Sequence, residues 1–255
     1  RLALDPDGAA MLDHDVAGDR KAEPRALRLV SQHVPDLAEL VEDLLLIGGR
    51  DADAGVSDGD DDMLAGFPDA LFAQQYPARG NPELAREVVT LLAAHHGEED
   101  DTWGLDHGAW SVLKSLYPQA DVPVFQLSID VSRDLDWHLG IGKTLSALRD
   151  RGVLILGSGN VVHNLGAMRL GGEPHDFAVE FDELFAEHLT DRNFNALTSR
   201  DGMGSLMRMA HPSLEHYIPA LTIAGASDGK DALTYMTDSI DLGSVSMRSF
   251  VFHGA

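Results

Sequence analysis

The chain contains no cysteine. That removes thiolate nucleophiles, cysteine-based zinc sites and disulfides from the chemistry available to it. Lysine is nearly absent as well, occurring only at Lys21, Lys114, Lys143 and Lys230. Aspartate is abundant, and the formal net charge is -23. Such a surface repels phosphate backbones, so nucleic-acid binding through a basic face is excluded. An acidic, lysine-poor surface suits a protein that stays soluble at high salt, and a halophilic source is expected. No apolar run approaches the ~20 residues needed to cross a bilayer. No signal peptide is visible, and a cytoplasmic, membrane-free enzyme is expected.

With 255 residues and 44% hydrophobic content, the chain can bury one sizeable core. No Pro/Ser-rich linker or repeat divides it, so residues 1–255 are expected to form a single domain. A strand is expected over Ala26–Ser31, ending at Gln32 and His33. Helical spacing with early acids predicts a helix over Pro35–Leu46. Residues 48–62 are rich in Asp and Gly but lack the flanking pattern of a calcium loop, and read as a solvated acidic loop. Phe67–Phe72 reads as a short helix. Asn81 and Pro82 form a cap and first position for a helix through Ala94.

Further on, helices are expected over Ala109–Leu116, Trp137–Arg149 and Phe177–Leu189, and another begins over Pro212–Pro219. Strands are expected over Val122–Ile129, Val153–Leu156 and Ile240–Phe252. His95, His96, His175 and His188 read as surface residues. This βα alternation predicts an α/β fold with a largely parallel sheet.

Ligands of open α/β sheets bind beyond the carboxyl ends of strands. His33 and His163 both stand just past such ends. Without cysteine, a transition-metal site must be built from His and carboxylate, and two His plus one carboxylate leave positions open for substrate and oxygen. His216 and His107 are candidates for proton transfer, because imidazole titrates near neutral pH.

Seven segments stand in a telling order: Val30-Ser-Gln-His33, Gly66-Phe-Pro68, Tyr76-Pro-Ala-Arg-Gly80, Gly104-Leu-Asp-His-Gly-Ala-Trp110, Val124-Phe-Gln-Leu-Ser-Ile-Asp130, Gly157-Ser-Gly-Asn-Val-Val-His-Asn164 and Glu215-His-Tyr-Ile-Pro219. In this order they resemble the DODA-type (4,5-DOPA) extradiol aromatic ring-opening dioxygenases, of the class III protocatechuate 4,5-dioxygenase superfamily. The resemblance implies one α/β domain with a central mixed, mostly parallel sheet flanked by helices. It also implies a mononuclear metal, Fe(II) for catalysis with Zn(II) as the other metal found, and a catechol-type substrate with O2 as the partners.

By the same resemblance, His163 and His33 are metal ligands, His216 is an acid/base residue, and His107 lines the pocket. The family's remaining ligand lies in a His-Gly-Ser-Pro motif that this chain lacks. Asp5-Pro-Asp-Gly8 stands in its place, so Asp5 is the candidate third ligand. Val34 stands where the family has tryptophan, and residues 1–65 diverge from the family pattern. The alternative is a degenerate member that binds zinc or no metal and lacks dioxygenase activity. A metal-dependent hydrolase on a similar fold is the third reading.

Overall fold

The computed structural model describes residues 2–4, 43–47, 75–100, 104–199 and 203–254, the first two segments as backbone. The strand expected at 26–31, the acidic loop, the helix at 67–72, Asp5 and His33 lie outside the described residues. Five strands form the main sheet: β1 (Leu2–Leu4), β2 (Asp43–Ile47), β3 (Gly97–Glu99), β4 (Val124–Leu127) and β5 (Val153–Gly157). Their order is β3-β1-β4-β2-β5. Strand β2 runs parallel to both β4 and β5, and β1 runs parallel to β3 but antiparallel to β4. The sheet is therefore mixed and mostly parallel, within an α/β fold.

Local chemistry sets the element ends. Helix α1 (Pro82–Leu91) starts at Asn81, whose side chain accepts from the Leu84 amide at 3.0 Å. Helix α2 (His107–Leu116) starts at Asp106, which accepts from the Ala109 amide at 2.7 Å. Helix α3 (Leu135–Leu145) is capped by Asp134 and runs into a tighter turn that closes at Gly152, one residue before β5. Each cap satisfies a backbone donor that the first helical turn leaves open.

Helices α4 (Asp176–Thr190), α5 (Phe194–Thr198), α6 (Gly204–Ala210) and α7 (Ile218–Ala226) follow. Among the described residues, no helix is long and apolar enough to cross a membrane. Helices α3 and α7 touch backbone to backbone. A Cβ on Gly142 would lie 2.0 Å from the Thr222 carbonyl, and one on Gly225 would lie 2.1 Å from that of Leu139. The core beneath the sheet is aromatic at its centre, with Phe125, Phe181, Phe185 and Tyr217 fully buried. The Tyr217 hydroxyl donates to the Leu197 carbonyl at 2.9 Å, so burial of the ring leaves no open hydroxyl.

Two expectations are corrected. The helix expected over Pro35–Leu46 does not hold at its end, because Asp43–Ile47 is strand β2. Its apolar run Leu44–Ile47 is paired on both edges, and a short apolar run fits a central strand as well as a helix face. The single strand expected over Ile240–Phe252 is three: β7 (Ile240–Asp241), β8 (Val245–Ser246) and β9 (Ser249–His253). The turn between β7 and β8 passes through Leu242 and Gly243, both at positive φ, and folds the segment back on itself. Strand β9 pairs instead with β6 (Ala232–Thr237), a strand that the sequence pattern did not mark.

Candidate functional site

Beyond the carboxyl end of β5 the chain runs Ser158-Gly-Asn-Val-Val-His163-Asn164, bending at Gly159, Val161 and Val162. Both sides of this path are bonded. On one side, the His163 amide donates to the Ala210 carbonyl at 2.9 Å and Asn164 Nδ2 donates to the Met209 carbonyl at 2.6 Å. These carbonyls lie in the last turn of α6, where a helix leaves acceptors without internal partners. On the other side, Asn164 N donates to Ser244 O at 3.2 Å and Ser246 N to Val162 O at 2.9 Å. His163 forms an antiparallel bridge with Val245 there. The loop is thus held between the end of α6 and β8.

This bracketing fixes where the His163 side chain emerges. Its ring stacks on that of His216, with centroids 3.5 Å apart and planes 10° from parallel. His216 lies in the turn just before α7, as expected from the sequence. A Cβ on Gly159 would sit 2.3 Å from the His216 carbonyl, so only glycine lets the two backbones approach this closely. His216 Nδ1 lies 3.1 Å from Asn160 Oδ1, and Asn160 Nδ2 donates to the Ser246 carbonyl at 2.8 Å.

Burial holds the His163 imidazole below the ordinary histidine range, against the opposing pull of the Glu215 carboxylate. The neutral ring is the form that ligates metals. Neither ring nitrogen of His163 hydrogen-bonds to a described residue, and the residue is half-buried. In charge state and in bonding, His163 fits a metal ligand. Among the described residues, no group of three or more His, Asp or Glu is close enough to hold a metal ion. Any complete set therefore draws on residues outside them, where His33 and Asp5 lie. His107 is the first residue of α2, and its side chain is not among those described. The next residue's carbonyl, Gly108 O, accepts from Ser158 Oγ at 2.8 Å, which ties the start of α2 to the loop after β5.

Four further residues shape the site and were not marked by the sequence pattern. His211 is 3% exposed, and its Nε2 donates to Val161 O at 2.6 Å, while Nδ1 is buried without a partner among the described residues. Burial pushes its pKa down to about 4, against the Val161 carbonyl and aided by His216 and His163. Ser246, the last residue of β8, donates its hydroxyl to Asp182, which also pairs with Arg248, Arg248 Nη2 lying 2.5 Å from Asp182 Oδ2. The single sequence signal for His211 was its place ahead of the Glu215-His216 motif. Nothing local marks Asp182, Ser246 or Arg248.

Paired imidazoles beyond the carboxyl end of an α/β strand form a candidate site of a kind that oxygenases and hydrolases both use. Residues 27–249 match the family described as the catalytic LigB subunit of aromatic ring-opening dioxygenase. The chain belongs to that family, and its class of chemistry is oxidative opening of an aromatic ring. It is 41% identical over 196 residues to a protein of Escherichia coli (strain K12) named 4,5-DOPA dioxygenase extradiol, covering 73% of this chain and 70% of that one. A protein of the same name from Beta vulgaris is 35% identical over 191 residues, covering 73% and 71%. The crystal structure of an uncharacterized protein from Escherichia coli K12 superposes with a TM-score of 0.72 at 30% identity, covering 98% of each chain.

Proposed function

We propose that this chain is a metal-dependent extradiol dioxygenase that opens a catechol-type ring with O2, and that residues 1–255 form its one domain. The observation that carries the reading is the stacked pair of His163 and His216. One ring is kept neutral by burial, as a ligand requires, and the other lies against it within reach of the same substrate. His163, His33 and Asp5 are the proposed ligands, the last in place of the family's missing histidine. When bound, Fe(II) supplies Lewis acidity toward the catechol oxygens and redox chemistry toward O2.

His216 takes a phenolic proton from the substrate and returns one to the opened product. His107 hydrogen-bonds the substrate or oxygen at the pocket wall. The product is a muconic semialdehyde. The names of the relatives make DOPA the first catechol to try. The acidic, lysine-poor composition supports a halophilic source, and the lack of cysteine supports a cytoplasmic location.

The test is anaerobic Fe(II) loading followed by oxygen uptake and product absorbance with DOPA and simpler catechols. Ring opening in step with oxygen uptake is expected. A fully loaded protein that opens none of them overturns the catalytic reading. It would leave the degenerate family member, holding zinc or no metal, as the better account.

A further inference from the structure

We propose that Met247 is a site of reversible oxidation by hydrogen peroxide, and that the amide of Asn160 receives the oxygen it gains. The modification stands apart from the proposed function; only its effect on turnover rests on that reading.

Among the described residues, Met203 and Met207 are 1% and 4% exposed and Met236 is half-buried, while Met168, Met209 and Met247 are 46%, 41% and 43% exposed. A peroxide must reach the sulfur to oxidise it, so the choice narrows to the last three. Met247 differs from the other two in what its sulfur meets. Its Sδ lies 4.0 Å from Asn160 Nδ2. The Ser246 carbonyl can only accept, so the end of Asn160 that faces it at 2.8 Å is the NH2 end. That group has two N–H bonds. One goes to Ser246, and the other is left with a thioether, which is a weak acceptor. Among the described residues, no hydrogen-bond donor reaches the sulfur of Met168 or Met209.

The chemistry is a two-electron oxygen transfer. A sulfur lone pair attacks one peroxide oxygen, and the O–O bond breaks. The second oxygen leaves as hydroxide and takes the proton of the transferred one, so the products are a sulfoxide and water. Sulfur is oxidised by two electrons and the peroxide is reduced by two. The second N–H of Asn160 is placed to donate to the oxygen as it arrives, and a sulfoxide oxygen is a far stronger acceptor than the thioether it replaces.

The backbone of Met247 is pinned on both sides. Its amide donates to the Ser239 carbonyl at 2.8 Å, and its carbonyl accepts from Thr237 Oγ1. The new oxygen is therefore accommodated by side chains, and Asn160 is the polar one beside it. Asn160 Oδ1 in turn lies 3.1 Å from His216 Nδ1. Drawing Nδ2 toward the sulfoxide moves Oδ1 relative to that ring, so the oxidation reaches the site through a single amide.

The test treats metal-free protein with hydrogen peroxide, removes the peroxide, and follows each methionine by peptide mass spectrometry. Met247 is expected to oxidise about fivefold faster than Met168 and Met209, the scale of one hydrogen bond, and Asn160→Ala to bring its rate down to theirs. A methionine sulfoxide reductase is expected to restore the thioether. Oxidation of Met247 no faster than that of Met168 and Met209 overturns the proposal, and so does a rate that ignores Asn160→Ala in a folded variant. Anaerobic Fe(II) loading of the oxidised protein then reads turnover. A kcat lowered about fivefold is expected, recovered on reduction and absent in Met247→Leu, a substitution of similar volume. Unchanged turnover in fully oxidised wild type, or an equal loss in Met247→Leu, overturns the link to the site. A protein that opens no catechol yet oxidises first at Met247 would leave the modification standing and remove the proposed function instead.

Discussion

Ser246 Oγ donates to Asp182 Oδ1 across 2.6 Å in the interior, joining β8 to the middle of α4. Arg248 reaches the same carboxylate from Nε and Nη2, at 3.0 and 2.5 Å. One carboxylate thus neutralises a nearly buried guanidinium and ties down the residue that orients Asn160. Asp182→Ala strands both partners. It is expected to cost about 3–5 kcal/mol in urea unfolding, the usual cost of breaking a buried pair. Asp182→Leu combined with Arg248→Met is expected to cost less than Asp182→Ala alone. A loss under ~1 kcal/mol for Asp182→Ala would show that the pair does not matter to stability.

His211 makes stability depend on pH. Its folded pKa, about 4, lies below the ordinary 6.5, so between those values the unfolded chain binds the extra proton. Stability is therefore full above pH 6.5 and falls as pH drops toward 4. Over the whole window the loss is about 3 kcal/mol at 1.36 kcal/mol per unit. His211→Leu lacks the Val161 bond and is expected to be less stable than wild type at pH 7. Its deficit should shrink as pH falls through this window. A deficit that stays constant from pH 7 to pH 4.5 would contradict the assignment.

Gly142 and Gly225 let α3 and α7 meet at their backbones, with no room for a methyl group. Either residue changed to Ala forces the helices apart and is expected to cost about 1–3 kcal/mol or more. The Gly140→Ala control sits on the same helix with nothing within 4 Å of its Cβ, and is expected to be neutral or slightly stabilising. Thermal melts of the three variants check this, and equal shifts would refute it.

The two stacked imidazoles should separate by function. His163→Ala is expected to lose bound Fe(II) in a metal assay, and activity with it. His216→Ala is expected to keep the metal and lose about 10²- to 10⁴-fold in kcat. Full metal retention in His163→Ala would remove that residue from the ligand set.

Net charge of -23 makes the folded state repel itself at low salt. Raising KCl from about 0.1 to 2 M shortens the screening length from about 10 Å to under 3 Å. The melting temperature is expected to rise across that range. A flat or falling trend would tell against a halophilic origin.

Much of the frame was legible because it rests on short-range chemistry. Asn81 and Pro82 announce their helix through its cap and first position, and the turn after Val153–Leu156 announces where a ligand-bearing residue can stand. His163 could be singled out on that ground and His216 by its place in the Glu215-His-Tyr-Ile-Pro219 motif, though their contact could not. Asp43–Ile47 misled because four consecutive apolar residues carry no period, and only neighbours on both edges make them a strand. The bonds that orient the site were illegible for a different reason. Asn160 meets Ser246 across 86 positions, and no local pattern encodes such a pairing. His211 hides similarly, since a buried histidine and an exposed one look alike in sequence.

The bracketing of the His163 loop also dictates when the site can exist during synthesis. Its two flanks come from residues 209–210 and 244–246, and Ser244 follows Asn164 by 80 positions. A ribosome that has released β5, α4 and even α7 holds a chain whose sheet can pair but whose loop has one bare side. The nascent protein therefore acquires its fold before its chemistry, and loss of β7, β8 and β9 would disarm it while leaving most of its core in place.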